Sequence, residues 1–173
     1  MRVALVGGRS RTDYLMATLA ESAEEVVAIN SDRAFCEYLA SRHDGTVVWG
    51  DGTKREVLEE AGIAGFDVIV ALTGYDADNL AVCQVANHFL GIRRLLCIVA
   101  NPENVGLFRQ LGVTAAISGT ATLAQAIQAA LNEASQEPIG TMLGQTGPMA
   151  LYDDEAPTER LLGSWHLLGK GRA

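Results

Sequence analysis

Apolar and polar positions in this chain fall into short blocks that switch between two periods. Val3-Ala4-Leu5-Val6 is an apolar run of strand length, closed by Gly7-Gly8. Tyr14, Leu15, Met16 and the residues up to Leu19 then give a helix with a broad apolar face, ending near Ser22. Residues 25–30 form a second buried strand, rich in β-branched side chains. Phe35, Tyr38 and Leu39 recur at helical spacing over 33–41, with Ser31 and Asp32 both suited to cap that helix. A turn at His43-Asp44-Gly45 leads to a short strand over 46–49. Gly50-Asp51-Gly52-Thr53 follows, then a helical stretch over 54–61 whose first N–H groups Asp51 or Thr53 can cap. Residues 67–71 are a fourth strand and 72–78 a polar loop. The helix over 79–90 is apolar on most of its surface, so it is either deeply buried or part of an interface. A fifth strand covers 95–99, Pro102 opens a helix that Gly112 stops, and 115–117 is a short sixth strand. Thr120 caps a last, Ala-rich helix that runs to about residue 132.

Strands alternating with helices through short connections predict a parallel sheet covered on both faces. Right-handed crossovers then give a doubly wound, Rossmann-type α/β fold in strand order 3-2-1-4-5-6. Such sheets bind ligands at the carboxyl ends of their strands, near the reversal of strand order. Gly7 to Thr12, Asn30-Ser31, Asp51 to Thr53 and Thr73 all fall there. The pattern changes from Glu137 onward. Gly140, Gly144, Gly147 and Pro148 interrupt it, 149–152 is one candidate strand, and Leu161, Leu162, Trp165, Leu167 and Leu168 suffice to dock but not to form a core. The chain therefore divides into a domain over 1–134 and a C-terminal appendage, or truncated second domain, over 135–173.

Composition narrows the class. With 173 residues, 49% hydrophobic and 20% charged, the chain reads as a soluble protein with one full core. No apolar run approaches the roughly 18 residues of a membrane span, and the N-terminus enters a strand with no leader pattern, so a cytoplasmic location is expected. A net charge of −8 argues against nucleic acid as a partner. Cys36, Cys83 and Cys97 stand apart in apolar surroundings and read as buried small hydrophobes.

The first strand, its glycine turn and the helix start make a phosphate cradle, because glycine permits the tight turn and the first helical N–H groups face an anion. The dinucleotide fingerprint G-x-G-x-x-G keeps only Gly7; Arg9 and Thr12 hold the other two places. Gly8, Ser10 and Arg11 complete the loop. The Arg9 side chain either fills the space a pyrophosphate needs or turns outward to pair with a phosphate. Asn30 stands where an acid usually holds the adenosine ribose. With Ser31 and Arg33 it suits a 2′-phosphate, unless Ser31 is simply a helix cap. Asp76 and Asp78 read as a solvated loop with a cap rather than a metal pair. His43, His88 and His166 have no evident carboxylate or Cys partner, and no G-x-S-x-G, C-x-x-C, H-E-x-x-H or Walker motif occurs.

Residues from about 2 to 132 resemble the nucleotide-binding domain of the RCK/TrkA-N family, the regulatory subunits and domains of potassium channels and Trk/Ktr-type transporters. Gly50-Asp51-Gly52-Thr53 before Val57-Leu58-Glu59-Glu60-Ala61-Gly62-Ile63 carries the resemblance, with Asp67-Val68-Ile69-Val70-Ala71-Leu72-Thr73, Asp76-Ala77-Asp78-Asn79-Leu80, Asn101-Pro102-Glu103 and Leu107-Phe108-Arg109-Gln110-Leu111-Gly112-Val113. The resemblance implies a regulator rather than an enzyme. It would bind NAD(H) or another adenine nucleotide (NADP, ATP, ADP or AMP), with Asp51 and Thr53 in the pocket. Expected partners are a second copy in a homodimer or ring, a membrane potassium-translocating subunit that draws it to the inner membrane face, and a separate chain carrying the C-terminal regulatory domain. Two other classes stay open: an NAD(P)-dependent oxidoreductase fragment lacking its substrate domain, and a structural module with a degenerate pocket.

Overall fold

The computed structural model describes residues 1–134. Six strands and six helices alternate: β1 (Arg2–Val6), α1 (Ser10–Leu19), β2 (Glu25–Asn30), α2 (Arg33–Arg42), β3 (Thr46–Trp49), α3 (Arg55–Glu60), β4 (Val68–Ala71), α4 (Asp76–Phe89), β5 (Arg94–Ile98), α5 (Asn104–Gln110), β6 (Ala115–Ile117) and α6 (Gly119–Ala134). The strands form one parallel sheet in the order β3-β2-β1-β4-β5-β6, as the alternation predicts. β1 pairs with β2 on one side and β4 on the other, with Val6 level with both Ile29 and Ala71. The order therefore reverses beside the last residue of β1. The candidate strand over 149–152 and the apolar tail residues lie outside the described residues, as does the boundary's second part, 135–173.

The period of two sends Val3 and Leu5 to one face of the sheet and Ala4 and Val6 to the other, and all four are buried. Ala4, Val6 and Ile29 pack with Leu58, Ile69, Val82 and Cys83. Val3, Leu5 and Ala28 pack with Met16 and Leu39. The three cysteines are buried thiols, and burial raises the pKa of Cys36. Among the described residues no helix is long and apolar enough to cross a membrane.

Several predicted boundaries shift for local reasons. α4 begins at Asp76, inside the stretch expected as loop, because Asp76 and Asp78 fall in its first turn and favour the positive end of the helix dipole. Its buried side chains, Asn79, Val82, Cys83 and Ala86, face the core, while Phe89 at its end is exposed. The last helix is capped by Ser118, whose hydroxyl accepts from the Ala121 amide at 3.2 Å; Thr120 lies inside it. The apolar stripe of α6 is exposed, 62% at Leu123 and 53% at Ile127. An apolar hollow of about 490 Å³ also opens on the sheet, over Val70, Leu96 and Ile98 beside Tyr14 and Leu15 of α1.

Candidate functional site

β1 runs directly into Gly7 and Gly8, which take φ of +74° and +70°. A Cβ on Gly7 would stand 2.7 Å from Thr73 Cγ2, and one on Gly8 2.7 Å from Thr12 Oγ1. The loop is thus pressed onto the end of β4, and the close approach falls at Gly7-Gly8 rather than at the position of Arg9. α1 starts at Ser10 with no side chain capping it, so its first N–H groups remain available to an anion. Thr12 is fully buried behind the loop, where its hydroxyl donates to the Gly7 carbonyl. It supports the cradle and does not line it, contrary to its expected place among the binding residues.

A cavity of about 500 Å³ opens in front of the loop. Gly7, Gly8, Arg9, Ser10 and Arg11 line it from one side, Asn30 and Ser31 from β2, Asp51, Gly52 and Thr53 from the β3 end, and Thr73 from β4. Eleven of the twelve sequence-predicted residues are therefore brought together, Thr12 being the exception. Sequence reading missed the apolar back wall of Val6, Ile29 and Leu72, and the rim residues Tyr75 and Asp78. The signal for the wall was present, since those residues end or follow strands that must finish level at the switch point.

Asn30 is 7% exposed and spends both ends of its amide on the chain. Nδ2 donates to the Gly8 carbonyl at 2.7 Å, and Oδ1 accepts from the Asp32 amide at 2.9 Å. Asp32, not Ser31, caps α2, with Oδ1 accepting from the Phe35 amide at 3.1 Å. Arg9 neither fills the cradle nor hangs free: its guanidinium pairs with Asp32, and its side chain is 75% exposed.

Asp51 and Thr53 do not cap α3, whose N-cap position is Lys54. Asp51 Oδ1 accepts from the Thr53 amide at 3.0 Å and from its hydroxyl at 2.7 Å, closing the loop on itself. The Thr53 hydroxyl bond holds the Asp51 carboxyl below its ordinary pKa, so a fixed negative charge faces the cavity. Asn79, 1% exposed, ties the far side together: its Oδ1 accepts from the Thr73 amide at 2.8 Å while Nδ2 donates to the Thr73 and Ile98 carbonyls at 3.2 and 3.0 Å. Asp76 is a brace for the loop after β5. Burial raises its pKa, but bonds from the Ala100 amide at 2.6 Å, the Asn104 side chain at 2.8 Å and the Asn101 amide at 3.2 Å outweigh it and leave the pKa low.

A second cavity of about 730 Å³ adjoins the first and shares Arg11, Thr73 and Gly74 with it. Its walls are more apolar, with Ile98 and Val99 from the β5 end and Leu123 and Ile127 from α6. His43 corrects the sequence reading: its Nε2 lies 2.7 Å from Asp13 Oδ1, a carboxylate partner supplied by α1. That pair lines neither of these cavities. Among the described residues no group of three His, Cys, Asp or Glu could hold a metal ion.

A family model of the TrkA-N domain matches residues 3–119, the span from β1 to the start of α6. The chain belongs to the TrkA-N family. Among relatives of this TrkA-N chain, a Trk system potassium uptake protein TrkA homolog of Methanothermobacter thermautotrophicus is 32% identical over 124 residues, covering 72% of this chain and 57% of that protein. The Trk system potassium uptake protein TrkA of Azorhizobium caulinodans is 31% identical over 120 residues, 68% of this chain and 26% of the other. The chain thus spans less than two thirds of these relatives. The fold is shared with the GsuK channel bound to NAD, at TM-score 0.60 and 21% identity over 67% of this chain and 21% of that one. It is shared with GsuK bound to ADP, at TM-score 0.60 and 20% identity over 68% and 31%. The AMP-bound C-terminal domain of Kef from Shewanella denitrificans gives TM-score 0.66 and 16% identity over 79% and 83%.

Proposed function

We propose that this TrkA-N domain is the nucleotide-binding regulatory part of a potassium uptake or channel system, in which ligand occupancy shifts the arrangement of a dimer or ring. The observation that carries the reading is the cradle at the strand-order reversal, where the free N–H groups of α1 open onto a cavity of about 500 Å³. A nucleotide fits those residues. The α1 amides with Arg9 and Arg11 would hold its phosphates, Ser31, Asp51 and Thr53 would meet the adenosine side, and Thr73 would close the pocket behind. The adjoining apolar cavity favours a two-part ligand such as NAD(H) or NADP, while GsuK with ADP and Kef with AMP support the mononucleotides. The exposed stripe of α6 and the apolar hollow on the sheet support a homodimer or higher ring. A membrane potassium-translocating subunit is the partner that the Trk relatives suggest, and a separate chain carrying the C-terminal regulatory domain is a further one.

No catalysis is assigned to the domain. The His43–Asp13 pair, the obvious acid–base contact among the described residues, stands away from both cavities. Calorimetric titration of the full chain with NAD, NADP, ATP, ADP and AMP, run beside native mass spectrometry, tests the reading. At least one nucleotide should bind and change the subunit equilibrium. Binding of none, or protein-dependent hydride transfer from NAD(P)H to a carbonyl substrate, would overturn it.

A further inference from the structure

We propose that Asp32 competes with the nucleotide for Arg9: it draws the guanidinium off the phosphate cradle, and an entering phosphate takes it back. The inference rests on the nucleotide reading above and assigns a role to a residue outside the cavity lining.

Arg9 immediately precedes the uncapped start of α1, so its backbone belongs to the cradle. Its side chain leaves the cradle and crosses to the β2–α2 turn, where Nη2 meets Asp32 Oδ2. Asp32 can hold it there because the turn is fixed independently. The Asp32 amide is bonded to Asn30, and its other carboxylate oxygen caps α2 at the Phe35 amide. Asn30 in turn grips the Gly8 carbonyl, so loop and turn keep their spacing whether or not the ion pair is made.

Two acceptors are then offered to one guanidinium. The pair with Asp32 is exposed, 75% on the arginine and 32% on the aspartate, and such pairs are weak in water. A phosphate seated on the α1 amides offers anionic oxygens, and guanidinium–phosphate bonds are short, charge-assisted and often bidentate. Exchange from Asp32 to phosphate is downhill, and it subtracts the strength of the Asp32 pair from the gain of binding. Asp32 thereby sets affinity without touching the ligand, and occupancy leaves its Oδ2 without a cation while Oδ1 still caps α2.

A double-mutant cycle on the full chain tests this, using ADP and NAD as probes in calorimetric titrations of wild type, Asp32→Asn, Arg9→Ala and the double variant. Asparagine caps a helix about as well as aspartate, so Asp32→Asn should lower the melting temperature by no more than the small worth of an exposed pair. It should bind the probe about twofold to fivefold tighter, the worth of an exposed pair. Arg9→Ala should bind about tenfold more weakly, the loss of a hydrogen bond to a charged group, and adding Asp32→Asn to it should restore nothing. Equal or weaker binding by Asp32→Asn, or a tightening that persists without Arg9, overturns the proposal while the nucleotide reading stands. Failure of every form to bind either probe overturns both.

Discussion

The side-chain amide of Asn30 donates to the carbonyl of Gly8 at 2.7 Å, joining the end of β2 to the glycine loop across 22 residues of chain. A carboxylate at this position cannot make that bond, since it has no N–H to offer. The residue type that departs from the usual ribose-binding acid is therefore the type this loop needs.

Asn30→Asp should cost about 1–3 kcal/mol, the penalty for leaving a buried polar group unpaired, with carbonyl–carboxylate repulsion adding to it. Urea denaturation at neutral pH checks this. Stability equal to wild type would mean the amide bond is not what fixes the loop.

Gly8→Ala should be damaging twice over. Its φ of +70° strains any L side chain, and the added Cβ meets Thr12 Oγ1 at 2.7 Å. The Thr12 hydroxyl bond to Gly7 would be lost as the side chain is pushed aside. A fall of several degrees in melting temperature is expected, together with loss of nucleotide binding; an unchanged melting curve would contradict the packing described.

Leu123→Asp with Ile127→Asp places two charges on the exposed stripe of α6. If this stripe covers apolar surface of a second copy, light scattering at micromolar concentration should show wild type at twice the chain mass or more. The variant should be monomeric with an unchanged circular dichroism spectrum. A monomeric wild type would remove the dimer.

Asp13 receives the His43 ring on one oxygen and the Tyr38 hydroxyl, at 3.1 Å, on the other, with Arg42 nearby on α2. The His43 bond does most to hold its pKa below the ordinary 3.8. A depressed carboxylate stabilises the fold above its unfolded pKa and loses that contribution as pH falls through the folded value. The tie between α1 and the end of α2 should thus be intact above pH 3.8 and fade at lower pH. Asp13→Asn should flatten the acid limb of the stability profile, measured by urea midpoint against pH, and lower the neutral plateau.

Local pattern was enough for the sheet. The apolar runs, their glycine ends and the period switch yield six strands in the observed order, and with them the glycine-loop and strand-end residues of the cavity, though not its apolar back wall or its rim residues Tyr75 and Asp78. What local pattern could not show are the bonds that join distant segments: Asn30 to Gly8, Arg9 to Asp32, and Asp13 to His43. These partners are 22, 23 and 30 residues apart, and only the folded sheet brings them level. Caps differ for the opposite reason, because Asp51, Thr53 and Thr120 have the right side chains in the right neighbourhood while the backbone enters its helix one to three residues away. The early start of α4 was legible in Asp76 and Asp78, whose charges suit a first helical turn as well as a solvated loop.

Asn79 has a mechanical consequence. Its one amide bonds both the Thr73 loop and the Ile98 carbonyl, so the carboxyl ends of β4 and β5 cannot slide past each other without breaking bonds buried from water. The wall shared by the two cavities is in effect a fixed post. At the opposite rim Asn30 fixes the backbone in the same way, and compliance is left to the Arg9 side chain, which meets Asp32 in solvent. A ligand that forces the site to adjust will therefore be felt first in that side chain, and hardly at β5.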